Sequence, residues 1–169
     1  MLLSDINNSV ELFFEHRAKI LLIRFLLTCL LSIWIIGFLL PTITSTNNSL
    51  SSFVLSRIYS NVCHQESAKC ILIGSSAMLV CARCAGIYLG ALVAGLLSLH
   101  LILPSISRRV LILSLIPIAI DVFFTFTGIY SYSQSLAFTT GLAFGGIVYL
   151  MVLAELENLF SNKLNMGNE

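Results

Sequence analysis

Residues 81–103 read CARCAGIYLGALVAGLLSLHLIL. After Arg83 this stretch carries no Asp, Glu, Lys or Arg. A run of this length and composition crosses a bilayer as a single helix. It opens on Cys81-Ala82-Arg83-Cys84, so reactive thiols stand at the start of a membrane-length helix. Upstream lie Cys63-His64-Gln65 and Cys70, which completes a set of four cysteines in 63–84.

The totals agree with a membrane reading. The chain has 169 residues, of which 57% are hydrophobic and 10% charged. A soluble domain carries about 25% charged residues, so this chain lacks the polar side chains to cover a water-facing surface. The net charge of +1 supplies no basic field for nucleic acid or acidic substrates.

Outward from residue 81, the apolar pattern predicts an all-α integral membrane bundle of four helices, with spans at about 20–40, 81–103, 110–129 and 136–154. As a helix the first run, Ile20 to Leu40, is about 31 Å long and reaches across the hydrocarbon core. Arg24 is its one charge, one turn from its start, where a long side chain snorkels. Residues 1–19 form a polar N-terminal segment, read either as a short interfacial helix or as an extension of the first span. Its order of residues lacks a cleavable signal, so the first span is expected to stay. Residues 41–80 form the cysteine-bearing loop, with one or two amphipathic turns over Phe53 to Val62. Pro104 and Ser105 break the second span. Residues 20–156 make up the membrane domain, and 157–169 form a polar C-terminal tail.

The positive-inside rule orients the four spans. Arg17, Lys19, Arg24, Arg108, Arg109 and Lys163 fall on one side, and Arg57, Lys69 and Arg83 on the other. Both termini are then cytoplasmic, and the cysteine cluster lies at the outer face. Small residues recur at steps of four: Gly86, Gly90 and Ala94 in the second span, Ala137, Gly141 and Gly145 in the fourth. Such rows let helix backbones approach closely. They read as packing ridges; the alternative is the seam of a homo-oligomer.

C-x-x-C at a helix start favours thiolates, through the helix dipole and free amide groups. Thiolates are both soft-metal ligands and the nucleophiles of disulfide exchange. Adding Cys63 and His64 gives three sulfurs and an imidazole, a set that fits tetrahedral zinc. Cys70 makes the loop count even, which also fits two disulfides, or a relay from a Cys63/Cys70 loop pair to a Cys81/Cys84 membrane pair. The residues between, Ile71 to Val80, either dip into the interface or return like a strand.

CHQ, then VCARCAGIYLG, then a proline–aspartate span and TGLAFG resemble the uncharacterised membrane proteins of the domain of unknown function 2085 family. The resemblance covers about Ile58 to Gly146. It implies a small multi-span membrane protein marked by Cys63, His64, Gln65, Cys81, Arg83, Cys84, Gly86, Tyr88 and Gly90, with Asp121 and Gly141 further on. It implies no particular activity. Cys70 stands as an addition to that set. The resemblance also implies an Arg before the Thr-Gly of the last span; Ala137 and Phe138 stand there instead, which removes that partner for Asp121.

Asp121 is a carboxylate inside a span, costing about 2.5–3.5 kcal/mol on insertion scales. It therefore faces the bundle interior, either as a member of the site or in a packing hydrogen bond to Ser114, Thr125 or Tyr88. Gln65, Arg83, Tyr88 and Asp121 are the surrounding residues expected in a pocket; for Gln65, a loop cap is the plainer role. The leading expectation is a multi-pass membrane protein with a zinc or other soft-metal site on Cys63, His64, Cys81 and Cys84. The alternatives are a thiol–disulfide oxidoreductase on Cys81/Cys84 and a disulfide-pinned scaffold or carrier without catalysis. The partners expected are the lipid bilayer and an unidentified small-molecule or redox partner.

Overall fold

The computed structural model describes residues 2–44, 50–73, 76–101 and 106–166, with side chains over 17–43, 50, 52–66, 68–73, 76–101 and 106–159. The chain runs through α1 (Leu2–Thr44), α2 (Leu50–Tyr59), a 3-10 turn (Ser67–Lys69), β1 (Cys70–Ile73), β2 (Ser76–Cys81), α3 (Ala82–His100), α4 (Arg108–Phe126) and α5 (Gln134–Met166). Among the described residues, four segments are long and apolar enough to cross a membrane: Arg17–Ile43, Ala82–His100, Arg108–Phe126 and Gln134–Leu159. The protein is an all-α membrane bundle carrying one short hairpin. Large apolar side chains such as Leu22, Phe25, Ile33, Ile112 and Phe123 point away from the protein, where lipid solvates them.

The helices outrun the apolar runs that announce them. α1 is continuous from Leu2, so the N-terminal segment extends the first span. Pro41 does not stop it; the helix continues to Thr44. At the other terminus, α5 carries Glu155 and Glu157 within the helix and ends at Met166. α4 ends earlier than the apolar pattern suggests, at Phe126, with Gly128 just beyond it at φ 71. A left-handed residue past the last turn is the usual way to close a helix, and glycine adopts it freely. The expected break at Pro104 and Ser105 lies outside the described residues.

α3 packs most extensively on α5, through the two rows of small residues. A Cβ on Gly90 would run into the Leu142 carbonyl, and one on Gly145 into the Ile87 carbonyl. Gly86 and Gly141 meet the opposite backbones in the same way, and Ala94 is buried farther along the seam. These rows pack against each other within one chain. α4 differs: Asp121 is its one buried residue.

At one end of the bundle, α2 and the hairpin fold over α1 and α3. The hairpin is antiparallel and pairs Cys70 with Cys81, Leu72 with Ala77 and Ile73 with Ser76, with an irregularity between Cys70 and Leu72. Ile71 to Val80 therefore return as strands. β2 alternates, burying Ser76, Met78 and Val80. Met78 and Val80 join Ile35, Phe38, Tyr59 and Ala85 in a compact core beneath the hairpin. Tyr59 anchors α2: its hydroxyl donates to the Trp34 carbonyl at 2.6 Å, and its ring stacks obliquely on Trp34 at 4.7 Å between centroids.

Candidate metal centre

Two local structures bring the cysteines together. Cys63 hangs from the end of α2, where its backbone N–H donates to the Tyr59 carbonyl at 2.9 Å. Gln65 then turns the chain at φ 50 and donates from Nε2 to the Ser56 carbonyl at 3.0 Å. Gln65 thus caps α2. Cys81 sits where β2 becomes α3, in extended conformation, and Cys84 follows within the first turn.

The sulfurs of Cys63, Cys81 and Cys84 all lie within 4.8 Å of one another. Cys63 is buried, and Cys81 and Cys84 are half-buried. The Cys81 backbone N–H donates to the Cys63 sulfur at 3.2 Å, which ties the loop to the helix start. All five cysteines are free thiols.

Electrostatics separates the thiols. A hydrogen bond from the Cys84 thiol, aided by the amides of Cys84 and Arg83 and by the Cys63 thiol, outweighs burial and lowers Cys81 to about 5. Cys70 goes the other way: burial, then the neighbouring Cys63 and Cys81, push it up to about 11. Thiolates at this spacing repel one another unless a cation joins them.

One expected ligand, His64, falls outside the group, and so does Cys70 of the alternative relay. His64 follows Cys63 but is exposed and is not among the three residues whose ligand atoms converge. The turn that aims Cys63 inward leaves its neighbour in solvent. Cys70 is buried across the ladder from Cys81, yet is also outside the converging set. Its carbonyl accepts from Gln134 Nε2 at 3.0 Å, a link from the hairpin to α5.

Asp121 is 2% exposed. Its carboxylate pairs with the Arg83 guanidinium through Nη2 and accepts a hydrogen bond from the Tyr130 hydroxyl. Thr125 donates to the Asp121 backbone carbonyl at 2.8 Å, so it supports the helix and not the carboxylate. Sequence reasoning named Arg83 and Asp121 separately and missed their pairing. The signal was present: opposite charges near the same end of neighbouring spans. Tyr88 faces the aromatic core, 6.2 Å from Trp34 and 6.0 Å from Phe38 between ring centroids.

Arg24 also differs from its expected snorkelling. It turns inward, with Nε donating to Glu157 at 2.7 Å and Nη1 to the Ser98 carbonyl at 2.6 Å. Nearby, the Thr28 and Tyr149 hydroxyls are 3.2 Å apart. This polar clasp joins α1, α3 and α5.

Comparison with known proteins places these observations in a family. The family described as "Predicted membrane protein (DUF2085)" matches residues 63–151. That match takes in Cys63, Cys70, Cys81, Cys84, Arg83, Asp121 and both glycine rows. An uncharacterised protein of Methanocaldococcus jannaschii is 34% identical over 111 residues, covering 60% of this chain and 68% of that protein. No solved structure matches. The chain belongs to the DUF2085 family.

Proposed function

We propose that this DUF2085 membrane protein holds a soft divalent metal ion, zinc foremost, through Cys63, Cys81 and Cys84. The observation that carries the reading is the convergence of three sulfurs within 4.8 Å. Around a tetrahedral zinc with bonds of about 2.3 Å, sulfurs stand about 3.8 Å apart, so small side-chain shifts suffice. A cation also offsets the repulsion between neighbouring thiolates. With His64 outside the set, the three sulfurs leave one coordination position for a non-protein ligand. Three protein ligands plus one open position is the pattern of reactive zinc sites, whereas structural sites are closed by four. Zinc bound there would act as a Lewis acid toward whatever occupies that position.

The rest of the chain serves that centre. The hairpin covers it, Tyr59 fixes the loop that presents Cys63, and the Arg83–Asp121 pair balances charge at its flank. The charge distribution supports cytoplasmic termini and a cysteine cluster at the outer face. An impermeant thiol reagent applied to metal-stripped intact cells tests that orientation: it should reach Cys81 without permeabilisation, and labelling only after the cells are opened would reverse it.

Metal analysis of the purified chain tests the site. About one equivalent per chain is expected, lost in Cys63→Ser, Cys81→Ser and Cys84→Ser and kept in His64→Ala and Cys70→Ala. A second reading rests on the lowered Cys81 thiol, at about 5, beside Cys84. There the Cys81 thiolate attacks a substrate disulfide and releases one thiolate; Cys84 then attacks the mixed disulfide and frees the second. The substrate is reduced and the cysteine pair oxidised. Metal-free protein with a reversible Cys81–Cys84 disulfide would favour this reading over the first.

A further inference from the structure

Beside the cysteine group lies a cavity of about 380 Å³, framed by the hairpin, the start of α3 and the last turns of α4. Lys69, Cys81, Arg83, Thr125 and Tyr132 line it. Among the described residues, two cationic side chains face it and no carboxylate lines it. Each cation has an acidic neighbour outside the cavity. Lys69 meets Glu66 at 2.6 Å, but both side chains are substantially exposed, at 41% and 55%, and such pairs exchange readily with solvent and other ions. Arg83 gives Nη2 to Asp121, which is buried on the far side.

One N–H of the guanidinium is left without a partner among the described residues: that of Arg83 Nε, which is buried. A buried N–H without an acceptor is costly, and the guanidinium fork is shaped for carboxylates and oxyanions. Arg83 lies between Cys81 and Cys84 in sequence, so an acceptor bound here stands next to the sulfur group.

We propose that this cavity is a binding site for a small water-borne anion: a carboxylate, a sulfonate or an inorganic oxyanion. Arg83 takes its oxygens from one side, Lys69 neutralises it from the other, and Cys81 forms the wall toward the metal centre. The inference deepens the metal reading, since it names the class of molecule presented to the open coordination position. The site itself is built from Arg83 and Lys69 and exists whether or not metal is bound.

The test uses full-length, detergent-purified protein treated with a chelator. Methanethiosulfonate reagents bearing a sulfonate or a quaternary ammonium are compared for their rate of reaction at Cys81, read by peptide mass spectrometry. Each rate is divided by that of the same chain unfolded. The anionic reagent is expected to lead by about tenfold, the scale of electrostatic focusing in a charged cleft. Lys69→Gln should shrink that lead, Lys69→Glu should abolish it, and inorganic phosphate should slow the anionic reagent. Lys69 is exposed, so both variants should fold. Equal rates, a lead for the cationic reagent, or a ratio unmoved by Lys69→Glu would overturn the proposal. So would protection seen only in nanodiscs containing phosphatidylglycerol, which would make the ligand a lipid headgroup. Metal content is measured on the same preparation before chelation. Charge-selective labelling of a chain that never holds metal would overturn the metal reading and leave this one standing.

Discussion

α5 and α4 reach α3 in opposite ways. α5 lies against α3 along a row of small residues, backbone to backbone at Gly86, Gly90, Gly141 and Gly145. α4 buries one residue, Asp121, and that residue reaches α3 through an ion pair with Arg83. One wall of the cysteine site is therefore fixed by shape and the other by charge. In a bilayer, lipid is as apolar as a leucine side chain, so close packing and polar contacts are what bind helices together. This protein uses the first between α3 and α5 and the second between α3 and α4.

The comparison can be broken at its stronger side first. Gly90→Leu places a side chain where the Leu142 carbonyl already stands. A backbone clash along the main seam should cost more than about 4 kcal/mol, and the chain should lose its folded population in a denaturant titration. A neutral result would mean that α3 and α5 do not meet at this position.

The weaker side gives a smaller and more selective effect. Asp121→Asn leaves the partly buried Arg83 without its counter-ion, and removing one partner of a buried pair costs about 3–5 kcal/mol. The double variant Arg83→Met/Asp121→Leu should recover most of that loss, because both polar groups are then gone. No recovery would mean that the pair does more than hold α4 in place. Smaller still, Phe126→Ala alters a side chain that is 89% exposed. It should change stability by no more than about 0.5 kcal/mol in the same titration. A large loss would place a protein partner on α4 instead of lipid.

The same contrast explains what the sequence could reveal. Lipid-facing helices must be apolar over a bilayer's thickness, so the four spans were legible as runs. The glycine rows were legible as a step of four, since close approach needs small residues in register. The three thiols were legible by chemistry. The hairpin was not, because a short apolar run such as Ile71 to Val80 suits a strand or an interfacial dip equally. The direction of single side chains was also hidden. His64 and Cys63 are neighbours, but the turn set by Gln65 aims one inward and leaves the other exposed. Arg24 turns to Glu157 instead of to the interface because α5 continues as a helix past its apolar run. The Arg83–Asp121 pair depends on how α3 and α4 are rotated about their axes, which the pattern of neither span encodes.

The central claim is that Cys63, Cys81 and Cys84 are one ligand set, with His64 outside it. The most direct measurement is metal content per chain in the wild type, Cys63→Ser and His64→Ala proteins purified side by side. About one equivalent of a soft divalent metal is expected in the wild type and in His64→Ala, and essentially none in Cys63→Ser. Metal-free wild-type protein, or metal that survives loss of Cys63 but not of His64, would contradict it.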